Sequence, residues 1–97
     1  LHMTEVNYAE VNCLIRKKDG ADAWDQAARV LETLPIQFHP ADRALADTAA
    51  GFKARFKISL ADAFAAALAR AKKAELLTGD PDFKPLEKEI KIHWLKS

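Results

Sequence analysis

Cysteine is nearly missing from this chain: Cys13 stands alone among 97 residues, which excludes an internal disulfide and a thiolate metal cluster. Neither sign of charge prevails. Fifteen Lys and Arg face fourteen Asp and Glu for a formal +1, so there is no polybasic arm, and any nucleic-acid contact must use a local patch. No apolar run approaches the roughly 18–20 residues that span a bilayer, and no signal-peptide pattern opens the chain. Glycine is scarce at three residues, and the absence of a glycine-rich phosphate loop argues against a nucleotide cofactor. What is present, 49% apolar and 30% charged, is ordinary for a globular domain. The expectation is a soluble, cytoplasmic protein with no membrane contact. One small domain is expected over residues 1–97, hiding only roughly 60–65% of its unfolded surface. An opening of Leu1-His2-Met3 points to a processed or incomplete chain, or to a cloning remnant at Leu1-His2.

Helical and strand patterns alternate along the chain. Thr4 is an N-cap for a helix running to about Lys18, where Asp19-Gly20 stops it. A second helix spans about Asp22 to Glu32, with Ala23, Ala27, Val30 and Leu31 on its apolar face. Pro35 breaks it, and Ile36-Gln37-Phe38 alternates like a short strand. Pro40 leads into a third helix, about Ala41 to Arg55, with Leu45, Ala49, Phe52 and Phe56 on one stripe. Ser59 starts a fourth, in which eight alanines between Ala61 and Ala74 make a slim surface that neighbouring backbones can approach. Glu75–Thr78 reads as a strand, Gly79–Asp82 as a turn and Phe83–Glu87 as one helical turn. Ile90–Trp94 alternates as a last strand at a sheet edge. This order predicts an α/β fold with a parallel sheet and no repeat or linker.

Acidic residues are the candidates for chemistry. Glu10 shares a helix face with Val6 and Leu14, so a carboxylate interrupts an apolar stripe. A bland alternative has it in solvent or paired with Lys17. Asp62 stands three residues after Ser59, either as the far half of a capping box or as a carboxylate facing a cleft from a helix N-terminus. Asp80 and Asp82 follow a strand at its carboxyl end, where ligands gather in open α/β sheets, and Thr78 adds a hydroxyl. Their alternative is a turn cap at Asp80 with Pro81 behind it. If these carboxylates converge, they make an oxygen-rich site for Mg²⁺ or Mn²⁺, ions that activate water and screen the leaving oxygen in phosphodiester cleavage.

Other chemistries find less support. His2, His39 and His93 lack zinc-site spacing, and Ser59 has no His–Asp grouping around it. Trp24, Phe52, Phe56 and Phe64 at helical spacing read as core rather than as base-stacking platforms.

Three segments, Met3–Val11 (MTEVNYAEV), Ser59–Phe64 (SLADAF) and Leu77–Phe83 (LTGDPDF), resemble in order three motifs of the PIN-domain ribonucleases, and most of all the toxin nucleases of toxin–antitoxin pairs. The second motif is the most specific and the first the loosest. The resemblance implies a PIN-like three-layer fold, with a short parallel sheet flanked by helices, and a metal-dependent endoribonuclease with four carboxylates. Glu10, Asp62 and Asp80 match three of the four as catalytic and metal-holding residues. Thr78 and Asp82 match accessory positions, and Glu5 matches nothing functional. The family begins with a further strand ending in an Asp, so the chain is expected to be N-terminally truncated, without the fourth carboxylate and the central strand.

That comparison implies an RNA substrate, a Mg²⁺ or Mn²⁺ cofactor and a small antitoxin whose tail presents an Arg to the carboxylates. A chain with three carboxylates is expected to cleave poorly. Its strands near His2, Ile36, Leu76 and Ile92, left without a central strand, are expected to drive a homodimer or larger homo-oligomer. The alternative is a non-catalytic module that self-associates or binds a partner. Thr78-Gly79-Asp80 also occurs in haloacid-dehalogenase-type phosphotransferases, but no upstream strand ends in their Asp-x-Asp motif.

Overall fold

The computed structural model describes residues 1–95 and divides into two compact units, Leu1–Pro40 and a second from Ala41 onward. In the N-terminal unit, strand β1 (His2–Thr4) runs directly into helix α1 (Glu5–Asp19). The transition is made by Thr4, whose hydroxyl oxygen accepts from Asn7 N at 3.0 Å while its O–H donates to Asn7 Oδ1. This threonine is fully buried, so both halves of its hydroxyl need the partners they have. Gly20 ends α1 at φ +92°, its N–H donating to Arg16 O at 3.0 Å. A side chain there would meet the left-handed penalty. Helix α2 (Ala21–Thr33) follows at once, and β2 (Gln37–His39) returns to pair with β1 in parallel, His2 opposite Gln37 and Thr4 opposite His39.

Two expectations need correction here. The second strand lies one residue later than Ile36–Phe38, because the Ile36 N–H is spent on Leu34 O at 2.8 Å in the turn after α2. Val30 is 58% exposed. The packing face of α2 centres on Trp24, with Ala27, Ala28 and Leu31 three, four and seven residues on, and Val30 falls outside that arc. Trp24 is the buried aromatic of this unit, and Tyr8 stands between it and Phe38 with edge-on ring contacts at 5.4 and 5.6 Å.

The C-terminal unit opens with α3 (Arg43–Arg55). It starts at Arg43 rather than Ala41 because Asp42, not Pro40, caps it: Asp42 Oδ1 accepts from Leu45 N at 2.8 Å. Ser59 caps α4 (Leu60–Lys72), and Lys73 closes it in the left-handed region at φ 51°. Ala63, Ala66, Ala67 and Ala69 of α4 are buried with Phe64 and Leu68, and α3 supplies Ala49 and Phe52. Small side chains let two helix backbones approach, and the aromatic rings fill what they leave.

Strand β3 (Leu76–Thr78), a 3-10 helix (Pro81–Leu86) and β4 (Ile92–Trp94) complete the unit, with β3 and β4 parallel and Leu76 opposite Ile92. The last strand begins two residues later than Ile90. The Ile90 N–H donates to Leu86 O at 3.1 Å and so closes the turn that follows the 3-10 helix instead of joining a ladder. The fold is α/β, and every strand pair is parallel. Among the described residues the strands form two separate pairs rather than one sheet. Among them, too, no helix is long and apolar enough to cross a membrane.

Candidate active site

Asp62 sits in the first turn of α4, where its backbone N–H donates to Ser59 Oγ at 3.1 Å. That bond is one half of a capping box. The return bond, carboxylate to the Ser59 N–H, is not made, and among the described residues the Asp62 carboxylate has no hydrogen bond or ion pair. The backbone is therefore pinned while the half-buried carboxylate stays uncommitted.

Thr78, Asp80 and Asp82 are arranged by local bonds at the carboxyl end of β3. Thr78 Oγ1 accepts from Asp80 N at 3.1 Å, and Asp80 Oδ1 accepts from Asp82 N at 2.9 Å. Pro81 occupies the first position of the 3-10 helix that Asp80 caps. The capping alternative thus describes what one Asp80 oxygen does. The second oxygen of Asp80, the carboxylate of Asp82 and the Thr78 O–H have no protein partner among the described residues.

Glu10 lies in the other unit, on an exposed part of α1. Its expected stripe faces water, with Leu14 60% exposed. Helix α1 packs through Tyr8, Val11, Asn12 and Ile15, and Glu10 and Leu14 lie off that arc. The pairing with Lys17 is not formed, and Glu10 has no ion pair among the described residues.

Within neither unit, among the described residues, do three or more His, Cys, Asp or Glu side chains already stand around a common point. The donor set of the C-terminal unit nonetheless suits a hard divalent ion, since Asp62, Asp80, Asp82 and Thr78 offer only oxygen and keep free lone pairs. The histidines are spoken for. His2 Nδ1 and His39 Nε2 face each other at 2.9 Å, which requires one of the two rings to be neutral. His93 stands 3.5 Å from Glu75.

Sequence reading missed one feature, a cation cluster on α3 and α4. Arg55 donates through Nη1 and Nη2 to the two Glu89 oxygens, both at 2.8 Å. Hydrogen bonding from Arg55 holds the Glu89 carboxyl below its ordinary range, and the same bonds raise the Arg55 guanidinium. Arg55 and Arg70 both stand over the buried Phe52 ring, at 5.5 and 5.9 Å from its centroid. The partners Arg55 and Glu89 are 34 residues apart, beyond any local spacing rule. Seven Lys and Arg between Arg43 and Lys73 were the available signal.

Compared with known families, the chain matches the PIN domain family model over residues 1–89. No curated protein and no solved structure matches it.

Proposed function

The chain belongs to the PIN-domain family, and from that premise we propose that it is a metal-dependent endoribonuclease, the toxin component of a toxin–antitoxin pair acting in the cytoplasm. Nuclease-type function is general to the family, and divalent metals are typical of it. The observation that carries the reading is the Asp62 carboxylate, whose backbone is fixed by Ser59 and whose oxygens are left uncommitted.

A bound Mg²⁺ or Mn²⁺ supplies water activation and charge screening at the scissile phosphodiester. Asp62 and Asp80 are the residues that would hold it. The Asp82 N–H donates to Asp80 Oδ1 and so orients the Asp80 carboxylate, whose other oxygen would remain for the ion. Thr78 accepts from Asp80 N and retains its own O–H to donate to a substrate oxygen or to water. Asp82 is accessory, and Glu10 enters the reading as the third carboxylate by its place in the sequence pattern alone. A small antitoxin that sets an Arg against these carboxylates would compete with the metal.

Titration of the isotopically labelled chain with Mn²⁺ tests the metal assignment. The amides of Ala61–Ala63 and of Gly79, Asp80 and Asp82 should broaden first, and Asp62→Asn should weaken that response about tenfold or more. In parallel, a single-stranded RNA should be cut internally with Mn²⁺ and left intact with EDTA. Mn²⁺ broadening at neither segment would overturn the reading.

A second reading, a non-catalytic self-associating module, draws on the N-terminal unit. Leu14, Val30 and Leu34 are 60, 58 and 43% exposed there, and each two-stranded parallel pair leaves strand edges unmatched among the described residues. Homodimers in sedimentation, together with a chain silent toward Mn²⁺ and RNA, would favour it. Dimers that cleave would unite the two.

A further inference from the structure

We infer that the groove between α3 and α4 is a binding site for the phosphodiester backbone of single-stranded RNA, distinct from Asp62 and Asp80. This rests on the ribonuclease reading above and adds a surface to it. The starting observation is charge. The chain is nearly neutral, yet Arg43–Lys73 carries seven Lys and Arg against Asp47 and Asp62 alone, a local +5. Residues 1–40 hold four basic and six acidic residues, a local −2. A polyanion is drawn to the hairpin of α3 and α4 and repelled by the other unit.

The hairpin also has a place to receive it. A groove of about 330 Å³ is lined by Asp47, Thr48, Gly51 and Arg55 of α3 and by Arg70 and two alanines of α4. That volume lies near the lower bound of about 300 Å³ for small-ligand clefts. It suits one nucleotide unit better than a folded partner. The groove is open beside Gly51, where an added Cβ would meet no atom within 4 Å.

Its chemistry is that of a ribose phosphate. The Arg70 guanidinium makes no close ion pair and no hydrogen bond among the described residues. It rests on the Phe52 ring and lies near enough to Glu89 to help lower its carboxyl. Arg55 gives two of its five N–H groups to Glu89, so three remain to donate, and the pair holds its guanidinium in place. Two guanidiniums over one buried ring fit a singly charged phosphodiester. Asp47 and Thr48 beside them would be wasted on a bare phosphate, but they can accept the ribose 2′-hydroxyl, the group that separates RNA from DNA. The Thr48 O–H donates to Ala44 O at 3.3 Å, which leaves its oxygen lone pairs to accept.

The test is binding of a short labelled single-stranded RNA to the whole chain in EDTA, where the carboxylates hold no metal. Arg70→Gln should weaken binding about 5- to 10-fold regardless of base sequence and lower the salt slope by about one. Gly51→Met should fill the groove and weaken binding as much, while its unfolding temperature holds or rises, because it removes a helical glycine. The RNA should bind more tightly than DNA of the same sequence. Parent-like affinity in both variants would overturn the proposal, as would equal affinity for RNA and DNA or tighter binding of a polyglutamate peptide. None of these results bears on the Mn²⁺ response at Asp62, so failure of the groove and failure of the ribonuclease reading remain separable.

Discussion

The two units carry opposite charge and are held together by different means. In Leu1–Pro40 one large apolar side chain, Trp24, is buried, and order comes from the buried Thr4 cap, from Tyr8 between two aromatic rings and from the β1–β2 ladder. From Ala41 onward twelve apolar residues are buried, most of them on α3 and α4. Directional bonds hold the first unit, and close packing holds the second. The same mutation class should therefore produce unequal damage in the two.

The largest contrast should come from cavities. Phe52→Ala removes a side chain that is 1% exposed and should cost about 3–5 kcal/mol, read from chemical denaturation. Tyr8→Leu, in a half-buried position with two edge contacts, should cost about 1–3 kcal/mol. Equal losses would break the comparison. Overpacking comes next. Ala66→Leu inserts bulk where α4 is fully buried and should cost about 1–3 kcal/mol, whereas Ala9→Leu on the exposed side of α1 should change the melting temperature little.

Caps sharpen the comparison in the opposite direction. Thr4→Ala strips partners from a buried hydroxyl site and should cost about 2 kcal/mol, while at exposed Ser59 water replaces the lost bond and Ser59→Ala should cost about 0.5–1 kcal/mol. Thermal melts of both variants decide it, and a larger loss at Ser59 would reverse the assignment.

The smallest effect is electrostatic. Glu89 has a folded-state carboxyl held below its unfolded value by Arg55. Its contribution is complete above the unfolded value and is lost as pH falls through the lower folded value. Both partners are exposed, with half of the Arg55 side chain accessible, so water and salt screen the pair. Carboxyl titration followed by NMR should show the Glu89 midpoint moving up in Arg55→Gln.

What could be read from the residues was what neighbours decide. Thr4, Gly20 and Ser59 mark helix ends because a cap acts over three residues, and the Asp80–Pro81 turn forms for the same reason. Phe52 and Ala49 were legible as core through helical spacing. The start of α3 was misread because Pro40 and Asp42 both signal an N-terminus and Asp42, two residues later, wins the hydrogen bond. The last strand was misread because Ile90 alternates correctly yet spends its N–H on the preceding turn. At the candidate site, the backbone roles of Asp62, Thr78 and Asp80 follow from spacings of two and three residues. The Arg55–Glu89 pair and the groove beside it depend on chain folding over tens of residues, which periodicity does not encode.

The parallel strand pairs also set a timetable. Helices α3 and α4 are joined by only four residues and can meet on the timescale of a short loop closure. Strand β4 finds β3 across 16 residues, whereas β2 must find β1 across 35. Chain closure over the longer span costs about 0.7 kcal/mol more, and it recovers less buried surface when complete. Folding should then run from the α3–α4 hairpin outward, with β1 and β2 the last to join. In a nascent or refolding population those two strands stay open longest, so the concentration at which copies begin to cross-pair is governed by how fast the N-terminal ladder closes.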